Sequence, residues 1–140
     1  MKAARAVLVA GGLFNAVMGL FFFSTPLLDL FLRFSLQAEE LIFHHAAMLP
    51  FPQNPVHLLL IHGFGAAALI LGATLVYSAR DPQRFQPFIL IDALGRLMYG
   101  SLMITYVFRY SLMWIILVFG CIELFFALTY LLLSWKLSES

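Results

Sequence analysis

The stretch LIDALGRLMYG, residues 90–100, sets an aspartate and an arginine four residues apart inside a run that is otherwise lipid-soluble. In water such a pair is unremarkable. In lipid it must be explained, and the rest of the chain says the solvent is lipid. Of 140 residues, 63% are hydrophobic and 11% are charged. An ordinary soluble domain is about half apolar and about a quarter charged. A soluble core of this length has no room for that much apolar surface.

A membrane-crossing helix needs roughly 20 mainly apolar residues. Four segments qualify, at about 6–23, 56–78, 87–108 and 111–135. The first follows Lys2 and Arg5 and so resembles a signal peptide. Its exit, FFFSTPLL, is bulky and lacks a small-x-small cleavage site, and Asn15 interrupts its apolar core, so it reads as a retained span. Basic residues favour the cytoplasmic side. With the N-terminus inside, Lys2, Arg5, Arg80, Arg84 and Lys136 are cytoplasmic, whereas Arg33 and Arg109 are outside. Both termini are therefore expected to be cytoplasmic.

The connections differ in kind. In SARDPQRFQP, residues 78–87, Asp81 is placed to cap a helix that Pro82 begins. The link from Tyr106 to Met113 is tight, so the last three spans should pack sequentially as antiparallel neighbours. The first connection, 24–55, is long. PLLDLFLRF places Asp29 and Arg33 at i, i+4 on an apolar background, which suits a helix lying in the interface. AEELIFHHAAM suits a second short helix, and the prolines of LPFPQNP stop it. The expected fold is an all-α membrane protein in one domain, residues 1–140. It is an antiparallel four-transmembrane-helix bundle with a short interfacial helical segment in the long first loop, forming a cap over the outer mouth.

Each span carries a hydrophilic residue. They are Asn15, then His62, then Asp92 with Arg96, then Glu123. At ~1.5 Å of rise per residue, Asn15, Arg96 and Glu123 fall near the midplane. A lone charge there costs at least ~2.5 kcal/mol on insertion scales. Asp92 lies one turn before Arg96 on the same face, the favourable order for an acid–base pair on a helix. Glu123, on the neighbouring antiparallel span, has the depth to complete an Asp–Arg–Glu cluster, and Asn15 to add a neutral hydrogen bond. The cluster is either an ionic latch that sets helix register or a site for a headgroup, a quinone carbonyl or a proton. Small residues support close helix contact: Gly11, Asn15 and Gly19 on the first span, Gly65, Ala68 and Gly72 on the second.

Other chemistry is thin. Glu40, His44 and His57 are weak metal candidates, since no HExxH and no paired ExxH is present. His62 is a weak haem candidate without an evident axial partner. One cysteine, Cys121, rules out an internal disulfide and a cysteine-built zinc site. No phosphate loop, dinucleotide fingerprint or nucleophile elbow occurs, so no catalytic residue is assigned. Net charge is +1 without a basic block, which argues against nucleic acid. No cofactor is expected, with quinone or haem as the alternatives to test.

GGLFNAVMGLFFFSTP (11–26), LVYSARDPQRFQP (75–87) and LIDALGRLMYG, followed by a polar-centred fourth span, together resemble the DoxX-like superfamily of small four-helix bacterial membrane proteins. The long first loop with its histidines and prolines departs from that pattern. The resemblance implies association with respiratory, sulfur-oxidising or other redox-linked membrane complexes, and it carries over no catalytic residue. The leading expectation is an accessory or scaffold subunit beside a quinone-linked or redox complex. Its partners are membrane lipids and a larger membrane complex or further copies of the chain. The alternative is a lipophilic-ligand-binding protein or small membrane enzyme with a polar intramembrane pocket. A further one is a proton or small-solute carrier.

Overall fold

The computed structural model describes residues 2–44 and 51–138, and among them every regular element is helical. The helices are α1 (Lys2–Phe23), α2 (Thr25–Phe43), α3 (Pro55–Ser78), α4 (Gln86–Tyr110) and α5 (Trp114–Ser138). Four of them, α1, α3, α4 and α5, are long and apolar enough to cross a membrane. A 25-residue helix such as α4 is about 37 Å long, beyond the ~30 Å hydrocarbon thickness. α1 starts four residues before its expected beginning, α3 and α4 start one residue early, and α4 and α5 run two and three residues past their expected ends, because helix geometry continues through polar terminal turns where apolar composition stops; α5 starts only at Trp114, after the turn at Ser111.

Close contacts group the chain into two units, one comprising residues up to Gly11 and from Leu75 onward, the other Gly12–Thr74. In the first, α4 and α5 run antiparallel after the short connection 111–113, which Ser111 opens in the left-handed conformation (φ 51°). The pairing of Gln86 with Ser134, Arg96 with Glu123 and Gly100 with Gly120 keeps one register along both helices. A methyl on Gly100 would sit 2.9 Å from the Gly120 carbonyl oxygen. The first turns of α1 join this pair. Leu8, Leu75, Ala79, Ile89, Ala93 and Tyr130 form its buried apolar core.

The 78–87 connection folds as a turn. The Asp81 carboxylate accepts the Arg84 N–H at 3.3 Å, so it caps that turn, but α4 starts only at Gln86 with Pro87 in its first turn. Pro82 therefore opens a turn and not the helix.

In the second unit, the remainder of α1 and most of α3 lie antiparallel at backbone distance. A methyl on Gly65 would meet Phe22 and Phe23 backbone atoms at 2.6 Å, and one on Gly72 would meet the Gly12 oxygen at 2.6 Å. The long first connection holds one continuous helix, α2, where two short ones are expected from sequence. No glycine or proline separates PLLDLFLRF from AEELIF, so nothing stops the helix before His44. His44 adopts the left-handed conformation (φ 52°) and returns its N–H to the Glu40 carbonyl, a C-terminal stop. The part of the expected second helix at 45–48 lies outside the described residues. Four charged side chains, Asp29, Arg33, Glu39 and Glu40, keep α2 out of the set of candidate spans. Its buried residues Leu28, Ser35 and Glu39 share one face.

Candidate functional site

Helix α4 buries Ile89, Asp92, Ala93, Arg96 and Gly100, a stripe at helical spacing with two charges on it. The Arg96 side chain is 4% exposed and its Asp92 partner 6%. Arg96 Nε donates to Asp92 Oδ2 at 2.7 Å, and Arg96 Nη1 donates to Glu123 Oε2 at 2.6 Å. Arg96 Nη2 donates to the Gly11 carbonyl at 3.3 Å. The guanidinium thus links α4 and α5 to the middle of α1, at Gly11. Its planar fork presents donors in several fixed directions, which is why one arginine can serve three acceptors where a lysine would act as a point charge.

The walls around the cation are aromatic. Arg96 Cζ lies 5.0 Å from the Phe126 ring centroid and 5.5 Å from that of Tyr130, both on α5. Glu123, Phe126 and Tyr130 follow one another at i, i+3 and i+7, so one face of α5 supplies the carboxylate and both rings. Such contacts gain strength where water is excluded. Tyr130 is fully buried, and its hydroxyl donates to the Val7 carbonyl at 3.4 Å. Gly11 makes this possible. A methyl there would overlap the Tyr130 hydroxyl and stand 2.9 Å from the ring carbon that bears it.

Asp92, Arg96 and Glu123 are therefore brought into one network. Sequence reasoning did not anticipate Tyr130, Phe126 or the Gly11 carbonyl. The aromatic spacing from Glu123 is visible in the sequence, but fifteen phenylalanines hide it. The packing face expected of Gly11, Asn15 and Gly19 is divided in the structure. The structure gives Gly11 to α5, whereas Gly12, Asn15 and Ala16 lie against Gly72 and Gly19 lies against Gly65 and Leu69. Asn15 belongs to the Gly12–Thr74 unit, half-buried beside Gly72. Arg96 donates instead to Asp92, Glu123 and Gly11.

His62, half-buried in α3, has Nε2 at 3.5 Å from the Thr25 hydroxyl. Glu40, His44 and His57 are exposed. Among the described residues, no three His, Cys, Asp or Glu side chains gather as a metal-holding group. Glu39 is fully buried on α2, a burial that its place in the adjacent acidic pair Glu39 and Glu40 does not announce.

Among the described residues, no buried side-chain nitrogen or oxygen lacks a hydrogen-bond partner. The charges of the Arg96 network are thus committed to one another and to backbone. Removing a charged partner from such a network leaves an uncompensated buried charge, whereas the intact set is close to energetically neutral. No family model, curated protein or solved structure matches the chain.

Proposed function

We propose that the chain is an accessory or scaffold subunit of the bacterial inner membrane, with both termini cytoplasmic and its four spans forming an antiparallel bundle. In this reading the Arg96 network is a register latch. It holds α1, α4 and α5 in one arrangement so that the lipid-facing surfaces present a fixed shape to a larger membrane complex, in keeping with the DoxX-like resemblance and its redox-linked associations. The carrying observation is that Nε, Nη1 and Nη2 of Arg96 each donate to an acceptor, two carboxylates and a backbone carbonyl, on three helices. A site built to take a quinone carbonyl or a headgroup leaves a donor or acceptor aimed at the ligand. A proton carrier likewise needs a carboxylate that can release its partner.

Mild-detergent purification with mass spectrometry of everything retained tests this directly. The expected result is stoichiometric partner polypeptide. A lone chain carrying a stoichiometric quinone, or haem absorbance in the same sample, would overturn it. The isosteric set Asp92→Leu, Arg96→Met and Glu123→Leu sharpens the test. A latch tolerates joint apolar replacement and keeps its partner, whereas a ligand site loses its ligand.

A further inference from the structure

Between the first two turns of α1 and the last turns of α5 runs a groove of ≈ 350 Å³. Ala3, Ala4 and Val7 form one wall, and Leu133, Lys136 and Leu137 form the other. Its character is asymmetric along its length. At the deep end stands Thr129, whose hydroxyl donates to the Phe125 carbonyl at 2.7 Å. At the shallow end stands the Lys136 ammonium. The two are separated by about 10 Å of helix rise. The floor between them is aliphatic, and alanines on α1 keep it open.

The surroundings of the shallow end are basic. Lys2 stands one residue before the Ala3 wall, and Arg5 donates to the Arg80 carbonyl at 3.3 Å. Arg80 and Arg84 lie over the rings of Tyr77 and Phe85 at 5.2 and 5.7 Å. Against these cations, Asp81 is the acid among the described residues at this end, and its carboxylate already accepts the Arg84 N–H. Trp135, 65% exposed, and Leu132, 64% exposed, flank the α5 wall on the outward side. An exposed tryptophan marks the headgroup level of a bilayer, which sets the neighbouring lysine at phosphate depth with its stem along apolar surface.

We infer that this α1–α5 groove is a binding site for an anionic glycerophospholipid, with one acyl chain lying between Val7 and Leu133 and the phosphate held by Lys136 and Lys2. The occupant follows from the arrangement of chemistry. A free anion has no use for an aliphatic trough, and an uncharged lipid has no use for a cation at its mouth. A basic pocket between membrane helices, on the side that carries the excess of arginine and lysine, is suited to anionic headgroups. The inference rests on the chain crossing a membrane, not on its being a subunit of a complex. It is tested on the isolated chain, so failure of either reading leaves the other standing.

The experiment is native mass spectrometry of the detergent-purified chain mixed with equimolar phosphatidylglycerol and phosphatidylcholine of the same acyl composition. The expected result is a single retained phosphatidylglycerol adduct in clear preference to phosphatidylcholine. Lys136→Gln should lower its population roughly fivefold, as expected for one cation near a phosphate. Arg109→Gln, which removes one charge at the other end of α4, should leave it unchanged. Ala4→Phe, which fills the trough and keeps the charge, should also displace the lipid. Equal retention of both lipids, or equal losses in Lys136→Gln and Arg109→Gln, would overturn the inference. So would competition of the adduct by millimolar inorganic phosphate, since that marks a site for a free anion.

Discussion

Two regions of this molecule hold helices together by opposite means. In the unit containing α4 and α5, contact is set by long polar side chains, a buried guanidinium, two carboxylates and a tyrosine hydroxyl, with one close glycine pair, Gly100 and Gly120, beside them. In the Gly12–Thr74 unit, α1 and α3 meet through missing side chains, with Gly19 against Gly65 and Gly72 against Gly12. Lipid explains why both occur. Acyl chains are as apolar as leucine, so burying leucine between helices gains little from the hydrophobic effect, and association must come from close packing or interhelical hydrogen bonds. The ionic solution is directional and fixes rotation and register together. The glycine solution is tolerant in angle and depends on volume alone. The two should therefore fail differently.

The largest effect is expected at Arg96. Arg96→Ala leaves Asp92 and Glu123 buried without a counter-charge and should destabilise the chain in detergent by about 3–5 kcal/mol. Unfolding followed by circular dichroism measures it. Glu123→Ala should also be strongly destabilising, and the double variant should cost less than the sum of the two. Simple additivity would remove the direct ion pair from the account. In the glycine region no such rescue exists, because no second residue repays a first lost contact.

Next comes Gly65→Ala. The added methyl meets backbone at 2.6 Å, which no rotamer change can relieve, so α1 and α3 must separate. Overpacking of this kind costs about 1–3 kcal/mol. The same change at Gly63 or Gly95, where a methyl meets nothing within 4 Å, should be neutral or slightly stabilising. Equal losses at Gly65 and Gly63 would remove close approach from the account, since helix propensity alone favours alanine at both positions.

How much of this was legible in the sequence follows from the same division. The four apolar helices are written in composition and length, which a bilayer selects directly. The Asp92–Arg96 pair is written in helical period, since four residues make one turn. Glu123 follows from depth, given antiparallel neighbours. What period and depth do not carry is rotation. Gly11 and Gly12 are adjacent, yet one serves Tyr130 and the other Gly72, and only the packed helices reveal which. Helix α2 runs from the first into the second of the stretches from which two short helices are expected, because nothing in the backbone between them stops a helix. The burial of Glu39 is not legible either: an acidic pair on an amphipathic helix does not say which member turns inward.

The smaller changes separate strong from weak polar contacts within the comparison. Tyr130→Phe removes a hydroxyl whose bond to Val7 is long, at 3.4 Å, and leaves the ring over Arg96 in place. A loss of about 1 kcal/mol is expected, near the lower end for a buried hydrogen bond. Tyr130→Leu should cost more, because it also removes the aromatic face beside the cation. If the two variants match, the ring contributes no more than its volume and the cation–π contact drops out of the account.

The least effect is expected at the other acid–arginine pair, Asp29 and Arg33 on α2. Its bond length, 2.8 Å, is close to that of Asp92 with Arg96, and its i, i+4 spacing is identical. By geometry alone the two pairs are equivalent. They differ in solvent: the Arg33 side chain is 74% exposed and the Arg96 side chain 4%. An exposed pair exchanges water for a partner at little net gain, so Arg33→Ala should change stability by about 0.5 kcal/mol or less, and added salt should weaken the wild-type pair further. Measuring Arg33→Ala beside Arg96→Ala holds sequence spacing and bond length constant and varies burial, together with the added Arg96 contacts to Glu123 and Gly11. A loss at Arg33 as large as that at Arg96 would show that α2 is as deeply embedded as the spans. A small loss at both would show that the Arg96 network is open to water, and the latch would then have nothing to hold.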